Sequence, residues 1–211
     1  MLAVRLLGPF EVSKDGATVV MPAGRLRALL ARLALGAGET VSVERLAAAA
    51  WDGDLPRDAR RTVQLYVARL RSVLGKDVIQ TETAGYALRA AAVQVDVLSF
   101  VGLLDAAAVE PDGSRESRLL REALALWRGR PFEGVPSSWL EESNTPWLVE
   151  RYLSAVERRL DLDIGNGHAT DLLAELAELT AEHPLRETLW VRWLVALVCA
   201  GRQAEALSAY P

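Results

Sequence analysis

The segment Asp58-Ala59-Arg60-Arg61-Thr62-Val63-Gln64-Leu65-Tyr66-Val67-Ala68-Arg69-Leu70-Arg71-Ser72-Val73-Leu74 is followed by Gly75. Val63, Val67, Leu70 and Leu74 recur at the period of a helix with one buried face. The opposite face carries Arg61, Gln64, Leu65, Ala68, Arg69 and Ser72, with Arg60 and Arg71 flanking and Tyr66 beside the stripe. Gly75 is a helix stop. Five arginines, at 57, 60, 61, 69 and 71, fall on or just before this helix, and no Asp or Glu lies between Arg60 and Lys76. A solvated charged face is the common explanation for such a pattern, but it normally has acidic partners. A helix fits the DNA major groove, where exposed arginines reach guanine O6/N7 or phosphate.

Outward from this helix the pattern is consistent. Residues 2–7 and 10–13 are short β-rich runs, Asp15-Gly16 is a turn, and Thr18–Met21 reads as a return strand. Residues 25–35 form a helix with Leu26, Leu29, Leu30 and Leu33 on one face, ended by Gly36 and Gly38. Ser42 caps a second helix, with Val43, Leu46, Ala47 and Ala50 inward, up to Trp51. Trp51 reads as core, and Asp52–Pro56 breaks the chain. After Gly75, Val78–Thr81 and Tyr86–Arg89 form a hairpin turning through Glu82–Gly85. Gly85 reads as a positive-φ position and Tyr86 as core. Sheet, three helices and hairpin together predict a winged helix-turn-helix.

No convincing strand follows Asp96. Asp96 reads as a helix cap, 114–128 as a second helix, and Gly129–Asn144 as a loop. Thr145-Pro146 reads as the start of a long helix, striped by Val149, Leu153, Val156, Leu160 and Ile164. Helices at about 170–182, 185–200 and from 202 complete the chain. Gly167–Leu173 resembles Gly201–Leu207 at an offset of 34 residues, the tetratricopeptide period. The expected fold is therefore an α+β winged helix-turn-helix over residues 1–92, followed by an all-α tetratricopeptide-like domain over 93–211.

The net charge of −4 hides an asymmetry. Residues 1–90 hold thirteen basic and nine acidic side chains, whereas 91–211 hold eleven and nineteen. A basic half can meet phosphate while an acidic half stays off it. Arginine exceeds lysine throughout, for which codon bias is the larger cause. One cysteine, Cys199, allows no internal disulfide and reads as an inert core residue. No apolar run approaches the ~20 residues of a membrane span, and no signal peptide is recognisable at the N-terminus, so a cytoplasmic, nucleoid-associated protein is expected. His168 and His183 lack partners with metal-ligand spacing, and no Gly-rich phosphate loop occurs. Glu141-Glu142 and Asp161/Asp163 read as exposed pairs. Trp139 reads as packed beneath its loop in preference to a partner contact. Neither an enzyme nor a bound cofactor is expected.

Several stretches resemble the Streptomyces antibiotic regulatory proteins, activators of secondary-metabolite gene clusters. They are Val4–Pro9 with Glu11-Val12, Arg27–Leu30, Val41–Leu46 followed by Trp51, Val63–Arg71 and Thr83–Leu88. The second half resembles that family's bacterial transcriptional activation domain at Leu120–Gly129, His183–Glu187 and Ala200–Leu207. The resemblance implies an OmpR-type winged helix that binds direct repeats as a tandem dimer and recruits RNA polymerase or its sigma factor. It also implies a last repeat cut short at Pro211, since family members continue beyond Tyr210. The candidate DNA-contacting residues are Arg60, Arg61, Thr62, Gln64, Leu65, Arg69 and Arg71 on the helix, and Thr81 and Thr83 in the hairpin. Two other readings stay open: a helical-repeat sensor or protein-interaction module, and a DNA-binding repressor.

Overall fold

The computed structural model describes residues 1–52, 54–89 and 93–209. Strands β1 (Leu2–Arg5), β2 (Glu11–Lys14) and β3 (Ala17–Thr18) form an antiparallel meander through a turn at Asp15-Gly16, both with positive φ. The expected return strand over 18–21 is only these two residues. Helix α1 (Arg25–Leu35), strand β4 (Thr40–Ser42), helix α2 (Val43–Trp51) and helix α3 (Ala59–Leu74) follow. Ser42 caps α2 by accepting the Arg45 N–H, and Asp58 caps α3 by accepting the Arg61 N–H at 2.9 Å. Val63, Val67, Leu70 and Leu74 are the buried residues of α3, as the periodicity predicts. The hairpin β5 (Ile79–Glu82) and β6 (Gly85–Leu88) pairs through β6 with β4, which the sequence did not reveal.

Gly85 is required for a reason other than the one expected. Its φ is not in the left-handed region; instead, a Cβ there would sit 2.1 Å from the Val41 carbonyl oxygen of β4. Trp51 and Tyr86 are core, as read from the sequence.

The two halves are not strung on a linker. Strand β7 (Val93–Val95) lies parallel to β1, giving the sheet order β3-β2-β1-β7. Helix α4 (Asp96–Ala108) begins directly from it. Asp96 is not the cap that the sequence suggests: it is the first residue of the helix, behind Val95, and its carboxylate accepts the Leu6 N–H at 2.8 Å and the Leu7 N–H at 3.0 Å as well as that of its neighbour Val97. Helix α5 (Gly113–Leu124) is shorter than expected, and Trp127 beyond its end stacks on Tyr152 at 4.4 Å. The segment after it lies along the first strand: the Arg128 N–H donates to the Leu7 carbonyl and that of Phe132 to the Leu6 carbonyl.

Helix α6 (Ser138–Gly165) starts well before the predicted Thr145 and carries Pro146 in its interior. Tertiary anchors explain why it passes through the proline. Ser137 accepts the Leu140 N–H and donates its hydroxyl to the Ala49 carbonyl at 2.6 Å, while the Trp139 N–H donates to Asp52 at 3.0 Å. Leu140 is fully buried. These contacts hold the first turns against the end of α2 and offset the missing backbone bond at the proline. Trp139 packs there, under the Arg32 guanidinium.

One apolar cluster runs from Leu2 through α1–α3 and the hairpin to Phe100, Leu104, Leu120, Leu140, Leu148 and Ala155. A second, formed by Val156 and Leu160 with residues of α7 (Leu173–Glu182) and α8 (Glu187–Cys199), begins halfway along α6. A 3₁₀ turn (Ala169–Leu172) precedes α7, and α9 (Gln203–Ala209) follows α8. The 34-residue repeat has a structural counterpart. Gly167 and Gly201 both have positive φ, and the next N–H, of His168 and Arg202, reaches back to the carbonyls of Asp163 and Leu197. That is the same helix-ending motif twice. Tyr210 and Pro211, where the cut-short repeat was expected, lie outside the described residues. Two further sequence readings fail in this half. Asp163 is buried between Arg121 and Arg159 rather than exposed, and Cys199 is exposed rather than core.

Candidate nucleic-acid interface

Helix α3 and the β5–β6 hairpin stand side by side. Arg60 and Gln64 of the helix, with Thr81, Glu82 and Thr83 of the hairpin, line a groove of about 90 Å³ floored by Val43, Gly85 and Tyr86. Arg60, Gln64, Thr81 and Thr83 are all exposed, so the structure brings these four predicted residues to one surface. At about 100° per residue, Arg61 and Leu65 fall on the side of α3 farthest from the buried stripe. Both are exposed, as are Ala68 and Ser72 on the same side.

Arg69 is also exposed, and its guanidinium lies 5.4 Å from the centre of the Tyr66 ring. Tyr66 in turn meets Trp51 edge-on, and Arg25 covers Trp51 at 5.2 Å. The result is a pair of rings with a cation at each end, Arg25–Trp51–Tyr66–Arg69, which orients both guanidinium groups without neutralising them.

Two predicted residues do different work. Arg71 donates through Nε and Nη2 to the Ile79 carbonyl, at 3.0 and 2.8 Å, and through Nη2 to the Thr81 hydroxyl at 2.7 Å. It is half-buried and fastens the hairpin to α3. Thr81 accepts this bond and keeps its own hydroxyl hydrogen for a ligand. Thr62 is half-buried and donates to the Asp58 carbonyl at 2.8 Å, inside the helix cap. Both directions are set by backbone carbonyls, which helical spacing does not reveal.

The ion pairs divide along the chain. Among the described residues, every arginine beyond Asp96 except Arg115 has a carboxylate partner. Among the described residues of 1–89, Arg5, paired with Glu11, is the one arginine that has a carboxylate partner. The arginines of α1, α2 and α3 therefore have no carboxylate within salt-bridge distance. Arg25 and Arg45, both exposed, add to this field from helices that sequence spacing does not connect to α3. Burial, with the like charge of Arg45 behind it, lowers the pKa of Arg32 below the usual arginine range, and its Nε has no hydrogen-bond partner. Glu44 lies at the other side: its carboxyl is held below the usual range chiefly by its own backbone N–H and Ser42, with a smaller pull from Arg60.

Comparison with known proteins matches this architecture. Residues 95–211 match the family described as bacterial transcriptional activator domain, and residues 18–88 match the C-terminal domain of transcriptional regulatory proteins. The chain is 38% identical to regulatory protein AfsR of Streptomyces coelicolor over 97% of its own length and 21% of that protein. It is 32% identical to regulatory protein DnrI of Streptomyces peucetius, covering 99% of this chain and 82% of that one. A solved structure of Mycobacterium tuberculosis EmbR in complex with a low-affinity phosphopeptide superposes with a TM-score of 0.88 at 32% identity, over 99% of this chain and 57% of that one. The chain thus spans about a fifth of the AfsR proteins it matches.

Proposed function

The chain belongs to the Streptomyces antibiotic regulatory protein family of transcriptional regulators, and on that footing we propose that it binds double-stranded DNA sequence-specifically through α3 and the hairpin, as an activator. Its relatives are regulatory proteins rather than enzymes. The observation that carries the reading is the concentration of unpaired arginine on one face. Leaving Arg60, Arg61 and Arg69 without carboxylates is electrostatically costly among like charges, and a phosphate backbone removes that cost. Residues 1–92 act as the DNA-binding unit, with Arg60, Arg61, Gln64, Leu65, Arg69, Thr81 and Thr83 at the contact. Arg71 and Thr62 support it from behind.

The helical half, 93–211, carries the acidic excess and keeps its arginines neutralised, so it stays off DNA and offers its packed helical pairs to a protein partner. The family relationship favours RNA polymerase or a sigma factor as that partner, direct repeats as the site, a tandem dimer on DNA, and a secondary-metabolite cluster as the target. Such a protein works in the cytoplasm, at the nucleoid.

Fluorescence anisotropy against salt tests this. Contact with about five phosphates gives a log–log slope near −4.5, since each neutralised phosphate contributes about −0.9. A flat slope overturns the DNA reading. On a two-repeat site, inserting about five base pairs, half a helical turn, turns the second copy to the opposite face and abolishes joint binding. Equal affinity for both spacings removes the tandem dimer.

A further inference from the structure

The outermost point of α3 is not an arginine. Leu65 is 58% exposed in the middle of the helix; the other exposed apolar side chain of α3 larger than alanine, Val73 at 41%, lies two turns away in its last turn. It stands opposite Val63 and Val67, which are fully buried. Arg61 and Arg69 flank it one turn to either side, and the small Ala68 beside it lets the helix approach a surface closely. Nothing in the fold needs an apolar side chain here, since α3 packs through its other face.

In the major groove, only one base presents a purely apolar group, the C5 methyl of thymine; the other edges present donors and acceptors. We infer that Leu65 is a specificity-determining residue that reads a thymine methyl group within each half-site. The flanking arginines set the depth and register of the helix through phosphate or guanine contacts. This inference rests on the DNA-binding reading above. It adds one base preference to it: a thymine opposite the centre of α3, where burying the leucine side chain against the methyl is favourable and a bare cytosine or purine edge leaves a desolvated polar group facing it.

The test uses the whole 211-residue chain. A preferred site is selected from random duplex DNA, and each thymine in it is replaced singly by deoxyuridine, which keeps every hydrogen-bonding group and removes only the methyl. One thymine per half-site is expected to be sensitive, with affinity falling about fourfold, the worth of one buried methyl group. Leu65→Ala is expected to fold normally, to bind the thymine site more weakly, and to bind the thymine and deoxyuridine sites equally. Three results bear against the proposal. Sequence-selective, salt-dependent binding with no deoxyuridine effect at any position overturns the methyl contact and leaves the DNA reading intact. A deoxyuridine effect undiminished in Leu65→Ala assigns the methyl to another residue and overturns the role of Leu65. Failure to select any sequence, with no salt dependence, overturns the DNA reading itself.

Discussion

Arg69 and Arg71 are two residues apart on α3 and have different fates, because only Arg71 finds a backbone carbonyl within reach. Arg61→Ala and Arg69→Ala are therefore expected to change folding stability by less than about 0.5 kcal/mol. Each is expected to weaken DNA binding by ~1–3 kcal/mol if it reads a base. Arg71→Ala instead removes a charged hydrogen bond to Ile79, worth about 1.5–3 kcal/mol. Thermal melting and amide exchange are expected to register it first, with hairpin amides losing protection; a stable Arg71→Ala with normal exchange would refute this assignment. Two aspartates give a matching contrast in pH. Burial raises the Asp96 carboxyl above the ordinary 3.8, against the pull of the Leu7, Leu6 and Val97 N–H groups and Arg128. Its contribution to stability is greatest on the acid side and declines as pH rises through that raised value. Bonds from Ser114 and the Arg115 N–H lower Asp112 below 3.8, so its contribution is present above that value and is lost as pH falls through the lowered one. Carbon-detected NMR titration of the two carboxyls checks the order, with Asp112 titrating first from the acid end.

Among the elements, α6 departs most from local rules. An interior proline lacks the N–H that would reach the Glu142 carbonyl, and it ordinarily costs a helix about 3 kcal/mol. Here Ser137 and Trp139 bind the end of α2 and carry the helix across the gap. Pro146→Ala is expected to raise stability, by no more than about 3 kcal/mol, and to leave DNA binding unchanged; a fall in melting temperature would mean that the proline has a packing role. On α8, Val191, Val195 and Val198 form an outward apolar row beside the exposed Cys199. This row explains why Cys199 looked like core from composition: an apolar helix need not be apolar on a buried side only. The hairpin is the converse case. Gly85 was legible as special, but its reason, the approach of the Val41 carbonyl, belongs to a strand more than forty residues earlier in the chain.

At the scale of the molecule, the first core passes from the winged helix into α4, α5 and the first half of α6 without a break. Cutting at residue 95 would strip the cover from Leu6, Leu7 and the α2 end and remove the Asp96 carboxylate from two backbone N–H groups. A 1–95 fragment is therefore expected to be unfolded or molten in circular dichroism, and to bind DNA poorly for that reason. A 1–165 fragment, which loses only the second cluster, is expected to keep both fold and binding while failing to stimulate run-off transcription. If 1–95 folds cooperatively and binds as well as the full chain, the shared core contributes little. The amino-acid sequence by itself determined the helices, their buried stripes, the hairpin, the glycine-ended repeat and the arginine face of α3. Each of these depends on neighbours within a few residues, where 3.6- and 2-residue periods and turn chemistry act. Only the tertiary structure decided which arginines remain free, why Gly85 is glycine, that α6 crosses Pro146, and that the two halves share one core. Those outcomes depend on carbonyls, carboxylates and apolar faces supplied by distant segments, and no local spacing carries them.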